Sequence, residues 1–256
     1  MVNADALPEV SFEQVSKRYR GTVVLEEISL TVERGEFVAF LGPSGCGKST
    51  LLKLVSGLSP VSGGSVQVNG MTPENARGLM SFIFQDATLL PWRTVERNVG
   101  LELELEHAPR QASEERVARM LELVGLSHVA RSFPRQLSGG MKMRTSIARA
   151  LVTRPRILLM DEPFAALDEI SRDRLNEELL RLYAEQKWTV LFVTHSVAEA
   201  VFLSSRIVIL AAHPGRVAHE LKVDLPWPRT ARTRESKAFE EQVTQASRLL
   251  RGVHHT

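Results

Sequence analysis

The stretch Gly42-Pro43-Ser44-Gly45-Cys46-Gly47-Lys48-Ser49 decides the fold of this chain. It fits the pattern G-x-x-x-x-G-K-[ST] and lies between a predicted strand, residues 36–41, and a predicted helix, residues 49–58. In this context, glycines let successive backbone N–H groups face a phosphate at a helix N-terminus, which favours negative charge. The alternative, a chance glycine-rich turn, would not require a strand before it and a helix after it. Because both are predicted here, the sequence predicts a phosphate-binding loop.

Two side chains of this loop have predicted chemical roles. Lys48 is expected to reach the β- and γ-phosphates of ATP, and the Ser49 hydroxyl is expected to bind Mg²⁺. The predicted nucleotide-binding residues here are Gly42, Pro43, Ser44, Gly45, Cys46, Gly47, Lys48, Ser49 and Thr50. The expected cofactors are therefore ATP and Mg²⁺.

A second motif is the apolar run at residues 157–160, which ends in two carboxylates, Asp161 and Glu162. At the carboxyl end of a parallel strand, Asp161 can hold Mg²⁺ through its hydration shell. Glu162 can polarise the attacking water as a general base. Such a run is common by chance, but its combination with the phosphate loop favours the functional interpretation.

The remaining patterns predict an α/β fold. Apolar runs without polar alternation predict central strands that are buried on both faces, at residues 157–160, 190–193 and 207–210. Alternating runs predict strands in the N-terminal third, at residues 10–15, 28–32 and 65–68. Helical spacing predicts helices at residues 114–124 and 141–151. Residues 101–106 alternate Leu and Glu, which has strand period, and we expect a helix there from context alone.

Composition excludes several classes of protein. The chain has 256 residues, of which 43% are hydrophobic, which is enough for a sizeable core. Lys plus Arg number 32 against 30 Asp plus Glu, and this near-balance argues against a nucleic-acid binder. A single cysteine, Cys46, excludes an intrachain disulfide. We find neither a secretory signal nor an apolar run of roughly 18 residues that could span a bilayer, so a membrane role would require a partner.

A third motif, Leu137-Ser138-Gly139-Gly140-Met141, precedes the predicted helix at residues 141–151. Ser138 and the amides of Gly139 and Gly140 would form a second anion site at that helix N-terminus. One chain needs only one phosphate loop to bind ATP, so a second phosphate-facing site makes sense if it closes over a nucleotide held by another subunit. An ordinary capping turn is the alternative, and the order of the motifs argues against it.

In this order, the motifs resemble those of ABC transporter ATP-binding subunits over nearly the whole chain. The resemblance implies a P-loop NTPase cassette with a RecA-like parallel-sheet core, an N-terminal antiparallel β subdomain and a helical signature subdomain. It implies a cassette at residues 1–225, with the helical subdomain at about 86–150. Residues 226–256 are expected to form a solvated, mixed-charge tail.

Four further positions match the family pattern. Gln85 resembles the glutamine that senses Mg²⁺ and the attacking water, and Asp168 the aspartate that communicates across the dimer. His195 resembles the switch histidine that contacts the γ-phosphate. Tyr19, upstream of the first expected strand pair, resembles the aromatic residue that stacks on adenine. The implied sets are Glu162, His195, Lys48 and Gln85 for catalysis, Ser49, Gln85 and Asp161 for the metal, and Tyr19, Ser138, Gly139, Gly140 and Asp168 for additional nucleotide contacts.

Three positions depart from the family pattern. Met141 replaces the usual Gln of the signature, Met143 stands where a polar residue often follows, and Ala166 stands where Ser is frequent. Because Ser138 and the glycine amides are the phosphate-facing groups, we expect activity to survive.

The resemblance also implies partners. Two copies would pack head to tail around two ATP molecules, and the dimer would drive transmembrane permease subunits at the cytoplasmic face of the inner membrane. The apolar segment Leu89, Leu90, Pro91 and Trp92 is a candidate docking site for the permease, the alternative being that it packs internally. Residues 88–92, 137–141 and 212–216 resemble importers of nitrate, sulfonate and taurine, which implies a small anion delivered by an extracytoplasmic solute-binding protein.

Three other functions are considered. Only the stretches at residues 88–92, 137–141 and 212–216, which are weaker signals than the ATP-binding motifs, argue against an exporter or a lipid-handling ATPase. Non-transport ABC ATPases that act in DNA repair or on ribosomes generally carry two cassettes, or a long coiled-coil or zinc insertion, and the segment between Lys48 and Ser138 has room for neither insertion. A pseudo-ATPase is disfavoured by the intact set Lys48, Asp161, Glu162 and His195.

Overall fold

The chain is organised around two β-sheets, seen in a computed structural model that describes residues 7–253. The strands in this range are β1 (Val10–Tyr19), β2 (Thr22–Val32), β3 (Phe37–Leu41), β4 (Gly63–Val68), β5 (Met80–Ile83), β6 (Ile157–Asp161), β7 (Thr189–Val193), β8 (Arg206–Ala211) and β9 (Arg216–Lys222). One sheet is antiparallel, with the order β2-β1-β4, and the other has six strands in the order β5-β6-β7-β3-β8-β9. In the larger sheet only β9 runs antiparallel to its neighbour.

Helices cover the larger sheet and form a separate group between β5 and β6. Those in the described range are α1 (Lys48–Val55), α2 (Val95–Val99), α3 (Leu101–Leu105), α4 (Arg110–Leu123), α5 (Gly139–Val152), α6 (Glu169–Gln186), α7 (Val197–Leu203), α8 (Ala231–Arg234) and α9 (Lys237–Gly252). Short 3-10 turns occur at Arg77–Leu79, Ser127–Val129 and Pro134–Gln136. Within residues 7–253, no helix has both the length and the apolar character needed to cross a bilayer.

The central strands are buried on both faces, as their unbroken apolar runs predict. All residues of β3, β6 and β7 are buried. Successive residues of β3 enter different cores: Phe40 packs with the antiparallel sheet and α1, whereas Ala39 faces the helices on the other side. Because β3, β5, β6 and β7 are parallel, their carboxyl ends open at the same edge of the sheet.

Most predicted elements are confirmed, including the helix at residues 101–105, and two details differ. The first helix ends at Val55 rather than at residue 58, because Gly57 has a left-handed backbone with φ of 67°. Tyr19 is not upstream of the first strand pair; it ends β1 and pairs with Thr22 of β2.

The C-terminal segment is less solvated than its mixed charge suggested. Phe239 and Ala246 of α9 are buried in the core beneath the helices, and α9 packs on α7. Arg229, before α8, is only 3% exposed. The expected solvated tail is therefore a packed element up to residue 253, and residues 254–256 lie outside the described range.

Candidate nucleotide-binding and catalytic site

The predicted phosphate loop connects β3 to the first residue of α1. Gly47 precedes that helix with φ of 97°, and a Cβ atom there would lie 2.5 Å from Cδ2 of Leu25. The Cys46 side chain is buried in the core, and burial raises the pKa of its thiol, so Cys46 can offer only its backbone to a ligand. Lys48 folds over the loop, its Nζ donating to the carbonyls of Gly42 at 2.8 Å and Pro43 at 2.9 Å.

Two predicted metal-binding residues are in direct contact. The Ser49 hydroxyl at the start of α1 donates to Oδ1 of Asp161 at the end of β6, over 2.8 Å. Asp161 is only 6% exposed, and burial raises the pKa of its carboxyl, an effect that the Ser49 hydrogen bond opposes. No cluster of three or more His, Cys, Asp or Glu side chains within residues 7–253 could hold a metal by itself. One hydroxyl and one carboxylate instead fit Mg²⁺, which proteins commonly bind together with nucleotide phosphates.

A second pair joins the ends of β6 and β7. Oε2 of Glu162 lies 3.2 Å from Nδ1 of His195. Glu162 has a left-handed backbone, with φ of 48°, and its N–H donates to the carbonyl of Val193 at 2.9 Å. A positive φ is uncommon for a residue other than glycine, and it turns the chain sharply after Asp161. These two of the four predicted catalytic side chains, Glu162 and His195, therefore lie at the edge of the sheet where the phosphate loop begins.

Gln85 lies in the exposed segment that follows β5 at this same edge. Ile83 pairs with Met160, so the chain leaves β5 beside the end of β6. Among the described residues, the Gln85 side chain has no hydrogen bond, which leaves its amide available to a ligand. Thr50, also predicted to contact nucleotide, is part of α1 and half-buried.

The signature residues begin α5 of the helical group, where Gly140 lies against Leu167 of the loop that follows Glu162. The Ser138 hydroxyl caps α5 by accepting a hydrogen bond from the N–H of Met141 at 3.3 Å, and Gly139 and Gly140 form the first turn. No hydrogen bond or ion pair within residues 7–253 joins residues 138–140 to residues 42–50. Two of the three departures from the family pattern have a packing explanation, because Met141 is partly buried against the core and Met143 is 2% exposed. Nothing in the structure explains the exposed Ala166.

Asp168 and Tyr19 occupy two further surface positions. Asp168 caps α6 by accepting from the N–H of Ser171 at 2.9 Å, and hydrogen bonds with Ser171 lower the pKa of its carboxyl. Tyr19 is 42% exposed; its hydroxyl lies 3.2 Å from Oγ of Ser59, and Nζ of Lys17 lies 4.6 Å from its ring centroid. The exposed ring is available for stacking.

Residues from other parts of the chain support this edge of the sheet and were not predicted as site residues. Gly215, between β8 and β9, packs so closely that an added Cβ would lie 2.1 Å from the carbonyl oxygen of Cys46. Thr194 donates to Oε2 of Glu199 over 2.6 Å, beside His195. A local signal existed only for Gly215, which lies in the stretch 212–216 that the family resemblance had singled out.

Comparisons with known proteins agree with this architecture. The family model described as ABC transporter matches residues 25–165. The chain is 43% identical over 253 residues to a Brucella abortus protein assigned as ATP-binding, covering 97% of this chain and 94% of that protein. It is 42% identical over 236 residues to the aliphatic sulfonates import ATP-binding protein of Bacillus cereus, covering 91% and 92%.

A solved structure has the same fold. It shows the dimeric post-hydrolysis state of an ATP-binding cassette bound to ADP and phosphate, with a TM-score of 0.79 and 31% identity, covering 85% of this chain and 100% of that chain. The extent of these matches shows that the chain belongs to the ABC transporter family, as one of its ATP-hydrolysing cassettes.

Proposed function

We propose that this chain is the ATP-hydrolysing subunit of an importer of small anions such as aliphatic sulfonates, taurine or nitrate, acting on separate permease subunits. The observation that carries the catalytic part is the pair of contacts Ser49–Asp161 and Glu162–His195, side by side at the edge of the sheet where the phosphate loop begins. The observation that supports the solute class is the 42% identity to a sulfonate-import protein over nine-tenths of both chains.

ATP binding starts from an arrangement in which the loop is already formed. Lys48 is 8% exposed, and its ammonium is held by two carbonyls of its own loop. The β- and γ-phosphates bring charged oxygens to this ammonium, and charge-assisted hydrogen bonds are stronger than those to neutral carbonyls. The backbone N–H groups of residues 43–47 and the N-terminus of α1 supply the remaining donors. Tyr19 stacks on the adenine ring.

Hydrolysis requires a water aligned with the γ-phosphate. Glu162 accepts a proton from this water as general base, and His195 holds the carboxylate of Glu162 and contacts the γ-phosphate. Ser49 and Asp161 are the protein groups that would hold Mg²⁺, and Gln85 would reach the same region. When bound, Mg²⁺ supplies charge neutralisation at the β- and γ-phosphate oxygens.

The signature residues Ser138, Gly139 and Gly140 act on the nucleotide of a second copy. Their separation from the phosphate loop within one chain supports this assignment, as does the dimeric state of the related cassette structure. ATP joins the two copies because both faces bind its phosphates. Hydrolysis removes the bridging γ-phosphate, and this differential contact with ATP and ADP drives opening.

The permease docks at the segment Leu89–Trp92, which follows Gln85. Trp92 is 71% exposed, whereas Leu89 packs against the core, so only part of the segment packs internally. The fully buried Asn98 fixes the segment: its Nδ2 donates to the carbonyls of Leu90 and Arg93, both at 3.1 Å. A rigidly presented tryptophan is a suitable anchor for a partner helix. This docking places the subunit at the cytoplasmic face of the inner membrane, with the solute-binding protein on the other side.

The experiment is an uptake assay in cells that carry the chain together with its co-purifying membrane partners. We expect uptake of labelled taurine, an alkanesulfonate or nitrate to disappear in Lys48→Ala, which removes the phosphate contact. In Trp92→Ala we expect uptake to disappear while the ATPase activity of the purified subunit stays unchanged. Arg97→Ala, five residues after Trp92 and exposed on α2, is the control for a change in the same region.

Mass spectrometry of complexes from gently solubilised membranes separates the alternatives. A multi-span permease with an associated anion-binding protein supports import. A permease whose labelled substrate leaves the cell would point to an exporter or lipid-handling ATPase. Recovery with ribosomes or DNA-repair proteins and no permease would overturn the transport assignment.

A further inference from the structure

Arg172 clamps the loop that follows Glu162. It lies in the first turns of α6, and its guanidinium donates to two carbonyls of this loop, from Nε to Phe164 at 3.3 Å and from Nη2 to Leu167 at 2.8 Å. The loop, residues 163–168, ends at Asp168, the cap of α6. Arg172 therefore holds both ends of the segment that carries the proposed dimer contact.

The same guanidinium reaches the segment that carries His195. Nε of Arg172 lies 3.4 Å from Oε1 of Glu199 in α7. The other carboxylate oxygen, Oε2, accepts a hydrogen bond from the Thr194 hydroxyl over 2.6 Å, and Thr194 Oγ1 accepts from the N–H of Ser196 at 3.0 Å. His195 lies between these two residues, so its backbone is fixed from both sides by groups bound to Glu199.

The contacts of Glu199 with Arg172 and Thr194 place a carboxylate in a buried position, which costs free energy. Glu199 is 7% exposed and Thr194 is 2% exposed. Burial raises the pKa of the Glu199 carboxyl, and the hydrogen bond from Thr194 and the charge of Arg172 counteract this effect. The Arg172 side chain is 31% exposed and that of Glu199 is 9% exposed, and ion pairs partly exposed to solvent contribute little net stability, so this pair is weak evidence for a role in stability alone.

We propose that Arg172 and Glu199 are positioning residues that couple loop 163–168 to His195, so that the loop's position sets the distance between His195 and Glu162. The inference rests on the proposed roles of Glu162, His195 and the dimer contact. A second copy that touches Asp168 then acts through Arg172, Glu199 and Thr194 on the switch histidine. Hydrolysis is thereby tied to completed dimer contact, while ATP binding at residues 42–50 is left unaffected.

The test separates catalysis from binding and folding in the full-length chain. We expect Arg172→Met and Glu199→Gln each to lower kcat by about tenfold or more, since small misplacements of catalytic groups have effects of this size. The KM for ATP and the affinity for a fluorescent ATP analogue should change less than about twofold, because binding does not depend on the link. Arg174→Met, an exposed arginine on the same helix, is the matched control and should leave kcat unchanged.

Two further variants test the link itself. The double variant Arg172→Met/Glu199→Gln should be no slower than the slower single variant, because both changes break one chain of contacts. Arg172→Lys keeps the charge near Glu199, but its single ammonium nitrogen cannot take the two positions from which Nε and Nη2 of Arg172 donate to the carbonyls of Phe164 and Leu167. It should therefore recover only part of kcat.

Different outcomes overturn different statements. If Arg172→Met lowers the melting temperature but leaves kcat unchanged, or if the two single effects multiply in the double variant, the link is structural and the inference fails. Glu162→Gln and His195→Ala are measured in parallel. If they retain full hydrolysis, the proposed catalytic roles fail, whatever Arg172 does.

Discussion

Among single residues, Asp161 combines burial with a charge that the proposed function requires. It is 6% exposed, and its pKa is raised chiefly by burial. A raised pKa in the folded chain means that ionisation costs the folded state more than the unfolded state. Without nucleotide, the protonated Asp161 carboxyl makes its full contribution to folding stability below the unfolded pKa of about 3.9. This contribution is lost as the pH rises through the folded pKa. The ionised Asp161 carboxylate therefore lowers the stability of the folded chain near neutral pH, at a residue that the proposed function assigns to Mg²⁺.

We predict that Asp161→Asn raises the melting temperature of the nucleotide-free chain at pH 7.5, and that the gain is smaller at pH 4, because protonation of the wild-type carboxyl removes part of the cost of burying its charge. The variant should also lose Mg²⁺-dependent ATP hydrolysis. Thermal unfolding at both pH values and a phosphate-release assay measure these effects. Asp168→Asn is the control and should lower the melting temperature at pH 7.5, since hydrogen bonds to its ionised carboxylate lower the pKa of Asp168. A lower melting temperature for Asp161→Asn at pH 7.5 would contradict the argument.

Gly215 provides a second prediction at the residue scale. A Cβ there would lie 2.1 Å from the carbonyl oxygen of Cys46, and backbone cannot yield as a flexible side chain can. Gly215→Ala should destabilise the fold by about 1–3 kcal/mol through overpacking and weaken ATP binding by displacing the phosphate loop. Denaturant unfolding and titration with a fluorescent ATP analogue measure the two effects. Gly78→Ala, where nothing lies within 4 Å, should change neither.

Among the elements, α7 connects the proposed switch to the C-terminal segment. It begins after His195 and ends at Leu203, where Nη1 of Arg229 donates to the carbonyls of Val201, Phe202 and Ser204 at 2.8–3.0 Å. A cation at a helix C-terminus satisfies carbonyls that lack partners in the helix. Burial lowers the pKa of Arg229 to about 10, so the guanidinium remains charged at neutral pH. Its Cζ also lies 4.3 Å from the ring centroid of Trp227.

We predict that Arg229→Met destabilises the chain by about 2–4 kcal/mol, because buried carbonyls lose a charged donor. The amides of α7 and α9 should exchange with deuterium faster, whereas those of β1 and β2 should not. Arg232→Met, which removes an exposed arginine of the same segment, is the control. Equal stability of the two variants would show that the C-terminal segment contributes no more to the fold than the solvated, mixed-charge tail that the sequence predicted.

For the whole molecule, the proposed dimer provides the central prediction. Glu162→Gln should retain ATP binding, lose most hydrolysis and accumulate a nucleotide-bound dimer, because the bridging γ-phosphate remains in place. Light scattering at saturating ATP and Mg²⁺ measures the mass. Adding Ser138→Glu to this variant should restore the monomer, since a carboxylate facing the partner's phosphates repels them. A monomeric Glu162→Gln variant would mean that the two copies do not close around ATP without the permease.

The sequence by itself determined the features that depend on a few neighbouring residues. The phosphate loop, the Asp161–Glu162 pair and the capping Ser138 are each recognisable from a short stretch of sequence. The turn, strand end or helix terminus that each one forms requires particular residue types at fixed spacing. The central strands were equally clear from unbroken apolar runs. The packed face of α9 also had a local signal, since Phe239, Val243, Ala246 and Leu250 follow helical spacing, but its mixed charges obscured that pattern.

Only the tertiary structure decided which distant residues meet. The strand order places β7 between β6 and β3, and this brings His195 to Glu162 beside the phosphate loop. The contacts of Arg172 with Glu199 and of Gly215 with the phosphate loop join separate elements, and no local spacing encodes them. Strand register and helix packing are set by burial of the whole core, so such contacts exist only once the chain has folded.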